Sequence, residues 1–449
     1  MKIRKLKRGN IKSKSSKPSP RIQSLLNQAF TCVNNGNLSQ AEGICKEIIK
    51  LSPNTSECFN ILGIIYQERG LLDEAIAILY KAIKLESSNT NALFNLGTVL
   101  GQKGEHEKAV TVLRKGLALA PRSPKAWNNL GLALIVLGKL NEAISSFEKA
   151  TKLDSHYGSA WLCLGDIYHS QGQLKKAVDT YKKCIQSNPD FVDAHYNLST
   201  ALNDLKLLPE AIKSLQQTIE LAPAHAAARH MLAALSGETP DSAPPQFVTT
   251  LFDQYSSNFE TDLIDRLEYK IPTLMRELFS QYIPNGTCLP KVIDLGCGTG
   301  LSGQAFKDIS DYLAGIDISR NMLKQAKEKK IYDDLFLGDL CEELLKLTDS
   351  FDLFIAADVM IYIGNLETIF KTVNNKSSPR SYFIFSVESN QQNDFTLQPS
   401  GRYGHSSAYI SKLASMNDFI VIEEEQTKIR KEDDTWISGY IYLLQKNSD

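Results

Sequence analysis

The chain reads as an α-helical solenoid followed by an α/β domain. Three observations predict this. A hydrophobic repeat recurs every 34 residues through the first half of the 449 residues. A glycine-rich turn, Asp294-Leu295-Gly296-Cys297-Gly298-Thr299-Gly300, closes the short apolar run Lys291-Val292-Ile293. Further apolar runs follow it, several ending in an acid and separated by helical patterns.

Residues 1–20 form a basic tail with Lys2, Arg4, Lys5, Lys7, Arg8, Lys12, Lys14 and Lys17 and no acid, ending in Ser-Lys-Pro-Ser-Pro. This composition predicts disorder, either as a solvated leader or in contact with an anionic surface such as RNA or membrane. Elsewhere charge is balanced. A formal net charge of -1 and 43% hydrophobic content give material for two cores and no general attraction to nucleic acid. No apolar stretch follows the basic residues and no run approaches the ~18 apolar residues of a spanning helix, so a cytoplasmic protein is expected. Eight cysteines lie singly, which argues against disulfides and structural zinc.

The repeats occupy residues 21–236. Leu62, Leu96, Leu130, Leu164, Leu198 and Leu232 share one phase, the first four followed by Gly63, Gly97, Gly131 and Gly165. Ala41, Ala75, Ala109, Ala143, Ala177 and Ala211 hold a second phase, and Gly36, Gly70, Gly104, Gly138 and Gly172 fall at the mid-repeat turn. Small residues at fixed positions let the helices of a hairpin approach closely. The pattern predicts six helical hairpins and a capping helix over 226–235, stacked because no single unit buries its apolar face. Trp127 and Trp161 read as core residues of adjacent repeats. Residues 237–246, rich in proline, read as a half-rigid linker that lets the domains shift.

Residues 247–449 form the α/β domain. After the glycine-rich turn a helix is expected from about Gly300 to Phe306, its free N–H groups turned toward an anionic ligand group. Strands follow at Tyr312 to Ile318, ending at Asp317, and at Leu335 to Leu340, around Asp339. Phe351 to Ala356 leads to Asp358 and Tyr362, and Ser381 to Val387 leads to Glu388. Runs at Phe419–Ile422 and Ile437–Leu444 make a closing antiparallel pair, for seven strands in all. Two ligand classes fit the turn. Gly298 to Gly303 is a formal G-x-G-x-x-G, with Asp317 as the acid of a dinucleotide site. Read from Asp294, the turn is D-L-G-x-G-T-G, and Asp339 supplies a second acid that a nicotinamide enzyme does not need. Asp317 and Asp339 also admit a plainer reading as helix caps.

The 34-residue pattern resembles tetratricopeptide repeats. Asn95, Asn129 and Asn197 resemble the asparagine ladder of superhelical repeats that hold a partner's backbone, although asparagine at that phase is also ordinary repeat usage. The resemblance implies a protein or peptide segment in the groove. The D-L-G-x-G-T-G turn with Asp317 and Asp339 resembles class I S-adenosylmethionine-dependent methyltransferases, and the whole chain resembles bacterial tetratricopeptide-containing methyltransferases with a seven-stranded Rossmann-like domain. That resemblance implies S-adenosylmethionine as cofactor, contacted by Asp294, Gly296, Gly298, Gly300, Asp317, Ile318, Asp339, Leu340 and Asp358. Asp317 would meet the ribose and Asp339 the adenine. The segment Leu251 to Glu260 resembles a helix that closes over the cofactor through Tyr255 and Phe259, which at that spacing serve equally as a core stripe.

The chemistry itself asks little of the protein, because the sulfonium already activates the methyl group and no metal is required. Around the carboxyl ends of the strands, His405 and Tyr362 are candidates for a general base. In the glycine-rich loop Pro399 to Ser406, Arg402 and Tyr403 are placed to hold an acceptor, Arg402 through an anionic group; the plainer alternative makes His405 a helix cap and Arg402 solvated. The expected function is methyl transfer to an O or N acceptor on a small or carrier-bound molecule, with the repeats recruiting a partner. Two alternatives stand beside it: a protein acceptor held in the repeat groove, and a scaffold that only senses the cofactor.

Overall fold

The computed structural model describes residues 18–255, 260, 263–264, 267–284, 286–391, 394–432 and 435–447. The basic tail through residue 17, Phe259 and the side chain of Tyr255 lie outside the described residues. Two compact units divide at Lys206 and Leu207. No helix of the described residues is long and apolar enough to cross a membrane.

The first unit is a stack of helical hairpins, from Pro20–Asn34 with Leu38–Leu51 to Gly158–Ser170 with Leu174–Ser187, followed by Val192–Asp204. The leucine-glycine pairs have a steric cause. A Cβ on Gly63, Gly97, Gly131 or Gly165 would stand 2.4 to 2.6 Å from Leu79, Leu113, Phe147 or Tyr181 of the second helix. Glycine therefore sets how closely each hairpin closes. Trp127 and Trp161 are half-buried and do more than fill space. Their indoles donate to the carbonyls of Pro121 and Ser155 at 2.8 and 2.9 Å, and in the next repeat His195 reaches Pro189 O at 2.8 Å. At positions 127, 161 and 195 this phase of the repeat thus ties down the turn that precedes its helix.

At the mid-repeat turn, Gly36, Gly70, Gly104, Gly138 and Gly172 take φ between 69 and 85°. The sixth turn places Lys206 there, at φ 60°. A side chain in this left-handed region is strained where glycine is not. Lys206→Gly is expected to stabilise the chain by about 1 kcal/mol, or roughly 2–4 °C in Tm, measured by calorimetry; an unchanged or lowered Tm would contradict this origin.

The second unit opens with helices Leu208–Leu221 and Ala226–Ser236 and continues into a nine-stranded sheet. Strands β1 (Leu289–Leu295), β2 (Ser310–Asp317), β3 (Asp334–Leu337), β4 (Phe351–Ala356) and β5 (Ser377–Ser389) are parallel, in the order β3-β2-β1-β4-β5. The seven expected strands are joined by a short hairpin, β6 (Phe395–Leu397) and β7 (Tyr403–His405), of which β7 lies inside the stretch Pro399 to Ser406 read from sequence as loop. Strands of three residues are too short to show periodicity. The closing pair is β8 (Phe419–Glu432) with β9 (Thr435–Lys446), and β9 runs antiparallel to β5. Glu388 of β5 pairs with Gly404 on one side and Gly439 on the other. The hairpin therefore takes over from β4 beyond that strand's carboxyl end, the edge where open α/β sheets bind ligands.

The segment 237–246 is pinned within this unit. Asp241 O accepts from the amides of Gly364 and Asn365 at 2.9 and 2.8 Å, Ala243 N donates to Tyr362 O at 3.0 Å, and Ser242 forms an antiparallel bridge with Ile363. It acts as a strap on the sheet edge and carries the chain into the helix Pro245–Tyr255.

Candidate functional site

A cavity of about 580 Å³ opens at the carboxyl ends of the parallel strands. One end is framed by the glycine-rich turn. Gly296, Gly298 and Gly300 take φ 70, 54 and 96°. A Cβ on Gly296 would stand 2.4 Å from Val359, whereas Gly298 has no atom of the described residues within 4 Å of that position and lines the void. The turn thus offers a backbone surface that any side chain at 298 would fill. Gly300 caps the helix Leu301–Phe306 and does not itself line the cavity.

The acids at the strand ends play distinct parts. Asp317 lines the cavity and accepts from Gly298 N and Ser319 N, both at 2.8 Å, so it holds the turn in shape while facing the void. Burial pushes its carboxyl up to about 6 against the opposing effect of these amides. Ile318 and Leu340 line the same end. Asp339 lines it too and caps the helix Leu340–Lys346 through the amides of Cys341 and Glu342, at 2.9 and 3.1 Å. Asp294 is a correction. It is fully buried beneath the turn, away from the cavity, and accepts from Tyr332 Oη at 2.6 Å. Burial pushes its carboxyl to about 7. Tyr332 also explains Gly303, since a Cβ there would lie 2.3 Å from the Tyr332 hydroxyl oxygen. The formal G-x-G-x-x-G therefore ends in a packing contact.

The other end of the cavity is polar and lies under β4, β5 and β8. Asp358, at φ 58°, lines it and pairs with Arg430 Nη1 at 3.1 Å, while its amide donates to Ser386 Oγ at 2.9 Å. Arg430 Nη2 pairs with Glu388, and both side chains are 2% exposed. Burial raises the Glu388 carboxyl and Arg430 opposes it. Arg402 and Tyr362 line the same end, the guanidinium donating to the phenol oxygen. Burial raises the Tyr362 phenol although Arg402 opposes it, so at neutral pH Tyr362 is a protonated hydroxyl. Its ring packs edge-on against Phe252, with centroids 5.4 Å apart. Asp241 and Ala243 of the strap and Val248 of the following helix complete this wall.

His405 and Tyr403 do not reach the cavity. His405 is fully buried and its Nε2 is shared between the carbonyls of Ile363 and Gly364, at 2.9 and 3.0 Å. Burial lowers it to about 4, so it is neutral and spends its proton on the backbone turn. It positions the strand edge and has no route to an acceptor, which removes it as general base. Tyr403 is buried in an apolar cluster with Ala234, Ala243 and Leu397. Sequence reasoning missed Arg430, Tyr269 and the strap as cavity residues. Arg430 sits in the charged run Glu423 to Glu432, where nothing local sets it apart from its neighbours.

In the first unit each of the three asparagines directs its amide nitrogen to a side chain of the preceding repeat. Asn95 Nδ2 reaches Asn60 Oδ1 at 2.8 Å, Asn129 Nδ2 reaches Thr98 Oγ1 at 2.8 Å, and Asn197 Nδ2 reaches Asp166 Oδ1 at 2.9 Å. Each bond links one repeat to the one before it.

Comparison with known proteins agrees with both halves. Residues 293–385 match the methyltransferase domain family and residues 165–205 the TPR repeat family; residues 68–150 also match the family of anaphase-promoting complex, cyclosome, subunit 3. The chain joins tetratricopeptide repeats to a methyltransferase domain. Among curated relatives, the 18S rRNA (guanine-N(7))-methyltransferase of Bos taurus is 35% identical over 22% of this chain and 36% of its own. The malonyl-[acyl-carrier protein] O-methyltransferase of Yersinia pestis is 24% identical over 30% of this chain and 48% of its own. The chain thus spans about a third to a half of these relatives. A solved structure of MamA is 28% identical, with TM-score 0.35, covering 36% of this chain and 94% of its own.

Proposed function

We propose that the second unit binds S-adenosylmethionine and transfers its methyl group to an oxygen or nitrogen of a small or carrier-bound molecule, while the repeats hold a protein or peptide segment. One observation carries this reading: a single cavity joins the Gly298 backbone and Asp317 at one end to Arg402 and Tyr362 at the other. Its volume, about 580 Å³, lies in the range of small-molecule sites. Bound S-adenosylmethionine would supply a methyl group already activated by its sulfonium. Asp317 would accept from the ribose hydroxyls with the lone pairs that its two amide partners leave, since each carboxylate oxygen accepts twice. Asp339, with Ile318 and Leu340, would frame the adenine. Arg402 would hold an anionic group of the acceptor, with the Tyr362 hydroxyl as a second donor. The apolar helix and strap would exclude water, which strengthens these contacts.

The relatives' names support a carrier-bound acceptor in one case and an RNA base in another, and the test separates them. The full chain is titrated calorimetrically with S-adenosylmethionine and S-adenosylhomocysteine, then incubated with tritiated S-adenosylmethionine and a lysate split into small-molecule, protein and RNA fractions. Label in small or carrier-bound species is expected. Label confined to other protein makes the repeat groove the acceptor site, nuclease-sensitive label makes RNA the acceptor, and binding without label leaves a cofactor sensor. Absence of cofactor binding removes the reading altogether.

The raised Asp317 carboxyl gives a pH dependence. Its ionised form is the better acceptor for hydroxyls, and that form is lost as pH falls through about 6. Cofactor affinity is therefore expected to drop about tenfold between pH 7.5 and pH 5 by calorimetry. A flat profile would mean that the ionised carboxylate is not used.

A further inference from the structure

The turn that carries Arg402 is held by a helix far away in sequence. Gln398 to Arg402 form the tip of the β6–β7 hairpin, closed by Gln398 N to Arg402 O and Gly401 N to Gln398 O, each 2.8 Å. Gly401 takes φ +79° and is buried. Its carbonyl meets Nε2 of His230 at 2.8 Å, and His230 lies on the helix Ala226–Ser236 that ends the repeats. Both residues belong to the second unit.

We propose that His230 is a positioning residue for Arg402, so that the acceptor end of the cavity is completed by the terminal repeat helix. The inference rests on the reading above that Arg402 holds the acceptor. The carbonyl of Gly401 and the amide of Arg402 lie in one rigid peptide plane. Fixing that carbonyl fixes the plane from which the Arg402 side chain departs. The left-handed glycine would otherwise let this plane rotate.

His230 is built for the task. Its ring is 2% exposed and packs on Phe247, with centroids 4.7 Å apart. Burial lowers its pKa, so the ring is neutral, and a proton on Nε2 makes it a donor to Gly401. Nδ1 has no partner among the described residues, so Nε2 makes the ring's polar contact with them. Next to it, the Met231 sulfur would stand 2.8 Å from a Cβ on Gly401, so the helix surface fits against bare main chain. A histidine that merely filled the core would not need its one proton aimed at the peptide that precedes Arg402.

The test compares H230L, H230Q and R402A in the full chain. Cofactor affinity and melting temperature are followed as folding controls, and the acceptor fraction found above is titrated. H230L should raise the half-saturating amount of acceptor about tenfold, from loss of one buried hydrogen bond, with cofactor affinity unchanged. H230Q, whose amide nitrogen reaches nearly as far as Nε2, should recover most of it. If H230L does not fold, H230N takes its place, its amide being too short to reach Gly401. Unaltered acceptor dependence in H230L, or equal loss in H230L and H230Q, makes His230 a packing residue and overturns the inference. R402A separates the two levels. If R402A leaves transfer intact, the acceptor reading itself fails; if R402A is impaired and H230L is not, the inference alone does.

Discussion

Asp317→Ala should weaken S-adenosylmethionine binding by ~100-fold or more, because two charge-assisted contacts are lost together. The carboxylate would face the ribose, and it also holds the amide of Gly298 in the turn at 2.8 Å. Asp317→Asn keeps one carbonyl acceptor and should fall between the two. Calorimetric titration of the three proteins checks the order. An alanine variant that binds as tightly as the parent would remove the ribose assignment, and a variant that melts far lower without losing affinity would make Asp317 only a turn residue.

Arg430→Met is expected to cost about 3–5 kcal/mol of stability in the second unit, the usual penalty for leaving a buried carboxylate without its partner. Glu388 and Asp358 both face Arg430, and Glu388 has almost no contact with solvent. Changing Arg430 to methionine and Glu388 to leucine together should cost less than the single arginine change, because the more deeply buried carboxylate is then gone and only Asp358, 18% exposed, is left without its arginine. Differential calorimetry resolves this. Costs that simply add would show that the two side chains do not stabilise each other.

What was legible in the sequence was local. The 34-residue spacing is a property of neighbouring turns, and the glycines at 296, 298 and 300 announce a turn whose φ values do lie in the left-handed region. Asp317 and Asp339 could be placed because each ends a readable strand. The rest depends on contacts between distant segments. Nothing near Asp294 indicates that Tyr332 covers it, and nothing near His405 indicates that it supports the carbonyls of Ile363 and Gly364, some 40 residues earlier. A glycine-rich stretch at 399–406 reads as a loop over the acceptor, yet two three-residue strands bury its histidine and tyrosine. Proline content made 237–246 look like a tether, since proline marks both free linkers and pinned straps. Only the backbone partners at 362–365 distinguish them.

That strap bears on how such chains are assembled by recombination. A crossover within residues 237–246 looks harmless, for it falls between two recognisable modules. It would nonetheless hand a hybrid someone else's Asp241 and Ala243, and with them a different wall to its cavity. A crossover near Lys206 would carry the strap, the terminal helix and the sheet across as one inheritance. Exchange of repeat arrays among relatives would then conserve the chemistry while changing what is brought to it, so long as the last hairpin travels divided.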